Sequence, residues 1–171
     1  MITQAFLKSI LHYDPATGVF TWLKRADARP QWNGRYAGTQ AGCLWSPDGT
    51  TTYVVINIQH RPIGAHRLAV LYMTGEWPEH GVDHRDLDGT NNRWVNLRPA
   101  TQTQNGRNRG VSKRSSSGLK GAYKCKNGRW RSQLRIDGRL QSLGSYDSKE
   151  EAHAAYAAAI AQHHGEFART S

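Results

Sequence analysis

The sequence predicts an α+β protein in two parts, and three observations lead there. Residues 18–23 and 51–59 read as strands ahead of a helical pattern over 62–74. Residues 121–146 hold three strand-like runs joined by Asn-Gly and Asp-Gly turns, ahead of a second helix. Between the parts lies GVSKRSSSG, residues 110–118, whose Ser, Gly and charge suit a flexible connection. The expected organisation is a first domain over 1–110, a linker over 111–117 and a second domain over 118–171.

In the first part GVFTWL follows a DPATG turn, and both it and TTYVVINIQ are built from residues that pack well on a pleated surface. From Pro62 to Thr74, the residues Ile63, His66, Leu68, Ala69, Leu71 and Tyr72 fit a short helix closed by Gly75 and Pro78. VDH and WVNL then read as a hairpin with DLDGTNN as its long turn, and Trp77 and Trp94 read as core or hairpin anchors. After Pro99, ATQTQNGRN reads as the opening turns of a helix with Thr101 as its N-cap.

In the second part the expected strands are 121–126, 129–136 and 139–146. Ser148-Lys149-Glu150-Glu151 is a capping box that opens a helix ending near Gly165. Ala152, Ala155, Tyr156, Ala159 and Ile160 form one apolar stripe on it, so this helix has a face to lay on a three-stranded antiparallel sheet.

The chain has 171 residues, 37% hydrophobic, with a mean hydropathy of −0.71, yet six Trp and seven Tyr supply large anchors. It is polar but not of disordered composition. Its net charge of +10 suits a polyanion, either nucleic acid or an anionic membrane surface. Residues 111–147 carry nine Lys/Arg against two Asp/Glu, so +7 of the +10 sits there. No run of 18 apolar residues and no signal-peptide pattern occurs, which points away from a membrane and to the cytoplasm. Cys43 and Cys125 are too few for a disulfide framework or a four-Cys zinc site.

Side chains alternate across a strand, so Trp130, Ser132, Leu134 and Ile136 share one face while Arg129, Arg131, Gln133 and Arg135 share the other. One face packs on the helix and the other is a ladder of cations. Such a sheet fits the major groove of double-stranded DNA, with Arg reading guanine and Gln adenine, while Lys124, Lys126 and Arg139 hold phosphates. The segment from GAY through GRWRSQLRI and LGSYDSKEEAHAAYAAAIAQHHGEFA resembles the Apetala-two/ethylene-response-factor DNA-binding domain over about 50 residues. That resemblance implies that Arg129, Arg131, Gln133 and Arg135 make the contacts, whereas Tyr123 and Cys125 stand where plant members carry Arg.

GVDHRDLDGTNNRWVNLRPATQTQNGRN, residues 81–108, sets one His among many Asn, Gln and Asp side chains. Hydrolysis of a phosphodiester needs a base near neutral pH, and His, with an unperturbed pKa of about 6.5, fits. It also needs a hard cation on the scissile phosphate, and Asp83 with the amide oxygen of Asn105 offers two oxygen ligands. Asp83 and His84 are adjacent, so both serve one site only if the strand ends or bulges there. A calcium loop beginning at Asp86 fails, because its twelfth position is Val95 where a bidentate Glu is needed.

The stretch strongly resembles the HNH nuclease motif, in the phage homing-endonuclease branch where Asn replaces the last His, and the likeness extends upstream through LHYDPATGVFTWL and AHRLAVLYMTGEWP. The resemblance implies a ββα-metal nuclease with Asp83 and Asn105 on one divalent ion, Mg²⁺ or Mn²⁺, His84 as general base and Asn96 holding the imidazole. Arg98 and Asn108 flank the site as candidate phosphate contacts, and His66 and Arg67 match a family pair of which His66 reads as structural. The expected protein is a metal-dependent DNA endonuclease of homing type, nicking or cutting both strands as a monomer or weak homodimer, in a bacterial host or phage-infected cell. The alternatives are a sequence-specific DNA-binding regulator with a non-cleaving nuclease fold, and an RNA-binding accessory protein. The second lacks the exposed aromatic pairs that stack single-stranded bases.

Overall fold

The computed structural model describes residues 2–47, 49, 51–107, 111, 115–136 and 138–164, and the chain divides into two units, Met1–Thr101 and Gln102–Ser171. It is an α+β protein of small antiparallel sheets and short helices. The division falls at Thr101, ahead of the stretch read as a linker, part of which lies outside the described residues.

In the first unit α1 (Gln4–Ile10) is capped by the Thr3 hydroxyl, which accepts from the Phe6 amide, and passes straight into β1 (Leu11–Asp14). β1 pairs antiparallel with β2 (Val19–Trp22) across the DPATG turn. Asp14 shapes that turn by accepting from the Ala16 amide and the Thr17 hydroxyl, at 2.9 and 2.8 Å. After α2 (Pro30–Tyr36) come β3 (Cys43–Trp45), β4 (Tyr53–Ile58) and β5 (Arg61–Gly64), forming one sheet in that order.

The expected helix over 62–74 is corrected at its start. Gln59 and His60 both take positive φ, 52° and 62°, and this two-residue turn folds Arg61–Gly64 back on β4, leaving α3 to span Ala65–Thr74. α3 ends where Gly75 adopts φ 86°. β6 (Gly81–His84) pairs antiparallel with β7 (Leu97–Ala100). Trp94–Asn96 forms a 3₁₀ turn instead of the start of the expected second strand.

One core serves these pieces. Leu7, Ile10, Leu11, Tyr13, Phe20 and Ile56 pack with Leu68 and Leu71 of α3, and Val82 and Leu97 tie the β6–β7 pair to the same cluster. Each fully buried Leu or Ile is worth about 1.5–3 kcal/mol, so the hairpin that carries His84 is anchored by its apolar neighbours. Trp77 and Trp94 pack against this core, as anchors would.

The second unit contains α4 (Gln102–Arg107), β8 (Ala122–Lys124), β9 (Trp130–Ile136), β10 (Arg139–Tyr146) and α5 (Lys149–His164). The sheet order is β10-β9-β8. The capping box is present: the Glu151 amide donates to Ser148 Oγ and the Ser148 amide donates to the Glu151 carboxylate. Ala152, Tyr156 and Ile160 of α5 are buried, the latter two packing with Leu134 of β9, and Gly121 takes φ 77° where a Cβ would strike the Tyr156 ring. Gly165, the expected end of the helix, and Asp137 of the second hairpin turn lie outside the described residues.

Candidate active site

The loop between β6 and β7 explains its own composition. Its Asn and Asp side chains bond to nearby backbone in place of a regular ladder. Asn96 Oδ1 accepts from the Asp86 amide at 3.0 Å, and Asn96 Nδ2 donates to Asp86 Oδ1 and to the Asn91 carbonyl, both at 2.8 Å. Asp86 also accepts from the Asp88 amide, and Asp88 from the amide and hydroxyl of Thr90. The loop is docked on the β1–β2 turn: Tyr13 Oη donates to the Asn92 carbonyl at 2.7 Å, and the Trp94 amide to the Pro15 carbonyl at 3.0 Å. Gly18, at φ 77°, lies so close that a Cβ would sit 2.4 Å from the Asn92 and Arg93 backbone.

This docking delivers a side chain that the sequence assigns only to the turn. Asn92 is 2% exposed, and its Oδ1 lies 3.3 Å from Nε2 of His84. Asn92 Nδ2 donates to the Thr90 carbonyl, which turns the amide so that its oxygen faces the ring. The expectation that Asn96 holds the imidazole is therefore corrected: Asn96 closes the loop, and Asn92 touches the ring. Nothing in residue type separates Asn92 from Asn91 beside it, so the sequence held no signal for this choice.

β6 ends at His84, and the two adjacent candidates have different neighbours. The His84 ring, 5% exposed as a residue, lies against Tyr53 and His66, with centroids 6.2 and 5.2 Å away. Burial pushes its pKa below the ordinary His value, opposed by the Asn92 bond and by the charges of Asp86, Asp83 and Asp88. His66 is pushed down to about 4, first by burial and then by His84 and Arg67. His66 Nδ1 is buried without a hydrogen-bond partner among the described residues.

Asp83 pairs across the hairpin with Arg98, whose Nε and Nη2 donate to Oδ2 at 2.9 and 2.7 Å. The two side chains are 13% and 5% exposed. Arg98, expected to flank the site as a phosphate contact, is the buried partner of Asp83. Asn105 lies on α4 in the second unit, and its Oδ1 is a buried oxygen with no partner among the described residues. The Asp83 carboxylate and the Asn105 amide each offer an oxygen donor of the kind that hard divalent cations take. Among the described residues no group of three His, Cys, Asp or Glu is placed to hold a metal ion. Asn108 lies outside the described residues.

Residues 64–107 match the family model described as HNH endonuclease. That segment is similar to the HNH endonuclease family. The match runs from the end of β5 to the end of α4 and covers a minority of the 171 residues. His66, Asp86, Asn92, Asn96 and Arg98 lie within it, while Tyr13, Tyr53 and the β1–β2 turn lie outside it. No curated protein matches the chain. Among solved structures it is similar to one described as DNA binding and cleavage by the HNH homing endonuclease I-HmuI, at 20% identity and a TM-score of 0.41, over 91% of this chain and 85% of that one.

Outside the matched residues, the open face of the second unit's sheet is narrower than expected. Arg131 and Arg135 of β9 are exposed, and Gln133 lies between them half-buried, with Ser132 and Leu134 buried on the opposite face. Register places Tyr123 opposite Arg131 and Leu140 opposite Arg135, so exposed apolar side chains share that face. Lys124 and Arg139 pair with Trp130 and Ile136 and so belong to the other face, where Lys124 stacks on the Trp130 ring. Arg129 precedes β9 and is held by Asp147 at 3.1 Å and by the Ser145 carbonyl. Lys126 is exposed in the β8–β9 turn. No described helix is long and apolar enough to cross a membrane.

Proposed function

We propose that the protein is a divalent-metal-dependent DNA endonuclease of homing type in which His84 activates water. The observation that carries this reading is the Asn92–His84 contact within the HNH match. An amide oxygen only accepts, so the facing Nε2 carries the proton and the neutral ring keeps its lone pair on Nδ1. Nδ1 takes a proton from water as the water oxygen attacks phosphorus. The bond from phosphorus to the 3′ oxygen breaks, that oxygen takes up a proton, and the products are a 5′-phosphate and a 3′-hydroxyl.

Asp83 and Asn105 are the residues that would hold the cation, which supplies charge neutralisation on the phosphate and on the departing 3′ oxygen. Arg98 shares the Asp83 carboxylate, its guanidinium lying on Oδ2. The sheet of the second unit brings the nuclease to its site, with Arg131, Gln133 and Arg135 entering the major groove in the manner of the Apetala-two domain it resembles. One such site cuts one strand, and two copies are needed for both.

The experiment is incubation of supercoiled plasmid with the full chain, with and without Mg²⁺, and mapping of the nicks. Metal-dependent relaxation that is lost in His84→Ala is the expected result. Full cleavage by His84→Ala, or equal cleavage in chelator, would sink the reading.

A further inference from the structure

α2 places no buried residue in the core of the first unit, so the excursion that carries it is not held in the sequence by core packing. The base of that excursion is stapled. The Trp22 amide donates to the Thr39 carbonyl at 3.0 Å, the Gly38 amide to the Trp22 carbonyl at 2.8 Å, and the Ala41 amide to the Phe20 carbonyl at 2.7 Å. Its interior is rigid as well. The Asn33 side-chain amide accepts from the Arg25 backbone at 2.9 Å and donates to it at 2.7 Å. Trp32 meets Trp22 edge-on at 5.5 Å and Tyr36 at 5.3 Å, while Arg25 lies over Trp32 and Arg35 over Tyr36.

What this scaffold presents is charge. Residues 24–36 hold Lys24, Arg25, Arg29 and Arg35 against Asp27, a net of +3 (4 − 1), where residues 1–80 together hold only +2 (7 − 5). Asp27 is taken by Arg25 at 2.6 Å. Lys24, Arg29 and Arg35 are exposed and have no ion pair among the described residues. A groove of about 600 Å³ runs between loop and helix, lined by Lys24, Arg25, Ala28, Pro30 and Asn33.

We propose that this lobe grips the sugar-phosphate backbone of duplex DNA beside the cleaved bond. It is a contact surface separate from the basic sheet and from the HNH site, and it rests on the endonuclease reading for the identity of the polyanion. Three exposed cations on a surface whose acid is already neutralised complement phosphates, and the stack on Tyr36 holds one of them, Arg35, without further loss of side-chain freedom. β2 sets the spacing: Gly18 touches the loop that holds His84, and the lobe begins at Leu23. Five residues of extended chain at ~3.4 Å each span roughly 17 Å, or about five base steps at ~3.4 Å.

The test uses the full chain with His84→Ala, so that duplex stays uncut, compared with the same protein carrying Lys24→Ala, Arg29→Ala and Arg35→Ala. Affinity for duplex should fall about tenfold at ~0.15 M salt, and the salt slope should flatten by about 0.9 for each phosphate that is no longer neutralised. A backbone footprint should lose protection roughly five base pairs from the nick site that the active enzyme makes. A second variant with Arg29→Lys and Arg35→Lys should keep the slope, which separates removal of charge from a damaged fold. An unchanged slope and footprint in the triple-Ala protein would overturn the proposal while leaving the endonuclease reading intact. Failure of the parent to bind duplex at all would overturn both.

Discussion

The Asn92 amide oxygen lies 3.3 Å from Nε2 of His84, and the Asn92 carbonyl is itself held at 2.7 Å by the buried hydroxyl of Tyr13, 79 residues away in sequence. The His84 ring is thus oriented by a loop that the N-terminal hairpin holds in place. Asn92→Ala should lower turnover by roughly tenfold to a hundredfold, within the range that positioned general bases contribute, while leaving DNA affinity unchanged. Single-turnover rates on saturated enzyme measure it, and an equal loss of affinity would argue against a positioning role.

With His84 as the proposed base, the acid limb of the rate profile should lie below the ordinary His range near pH 6.5, because burial lowers the His84 pKa and a general base acts in its neutral form. The Asn92 bond raises that pKa, so in Asn92→Ala the limb should move further to acid even as the plateau drops. Rates measured from about pH 4.5 to 8 on the two proteins decide the direction.

His66 adds a stability effect of definite sign. Its pKa is near 4 folded against an unperturbed value of about 6.5, so the unfolded chain binds the proton first as pH falls. The contribution is intact above about 6.5 and is lost between there and about 4, by no more than roughly 3 kcal/mol. Urea unfolding of His66→Phe should show a weaker dependence over that window than the parent.

Arg98→Ala leaves the Asp83 carboxylate, 13% exposed, without its guanidinium. Destabilisation of about 3 kcal/mol is expected, because removing one partner of a buried ion pair costs more than the pair contributes. A phosphate contact at the surface would instead cost affinity and leave the unfolding midpoint in place.

Gly18→Ala imposes a side chain at φ 77° and 2.4 Å from the Asn92 and Arg93 backbone. The loop must shift, so cleavage should fall at least tenfold by the sensitivity of catalysis to ångström-scale misplacement. Binding through the second unit should survive. Plasmid nicking beside a gel-shift titration separates the two.

Arg131→Ala with Arg135→Ala should weaken duplex binding and flatten its salt slope by up to about 1.8, while Lys124→Ala, on the face opposite, should change it less. Equal effects from all three would contradict the register.

The elements most legible in the sequence carry their signals locally. Asn127-Gly128 supplies the turn, and Trp130 to Ile136 alternate strictly. Ser148 and Glu151 cap each other three residues apart, so β9, β10 and α5 could be read from short windows. β5 could not, since Gln59 and His60 are not residues that announce positive φ, and tertiary packing of Ile56 and Ile63 imposes it. α2 lacks a buried face, so no apolar period marked it.

Residue type and spacing by themselves determined the α+β class, the basic second sheet and the Asp-His and Asn chemistry of residues 83–105, because each depends on neighbours within a few turns of chain. Tertiary structure decided that Asn92 and not Asn96 meets the imidazole, that Arg98 neutralises Asp83, and that His66 lies against His84. Those contacts are set by which loop packs on which hairpin. Two chemically equal Asn side chains acquire different roles only when Tyr13 and Gly18 fix the backbone between them.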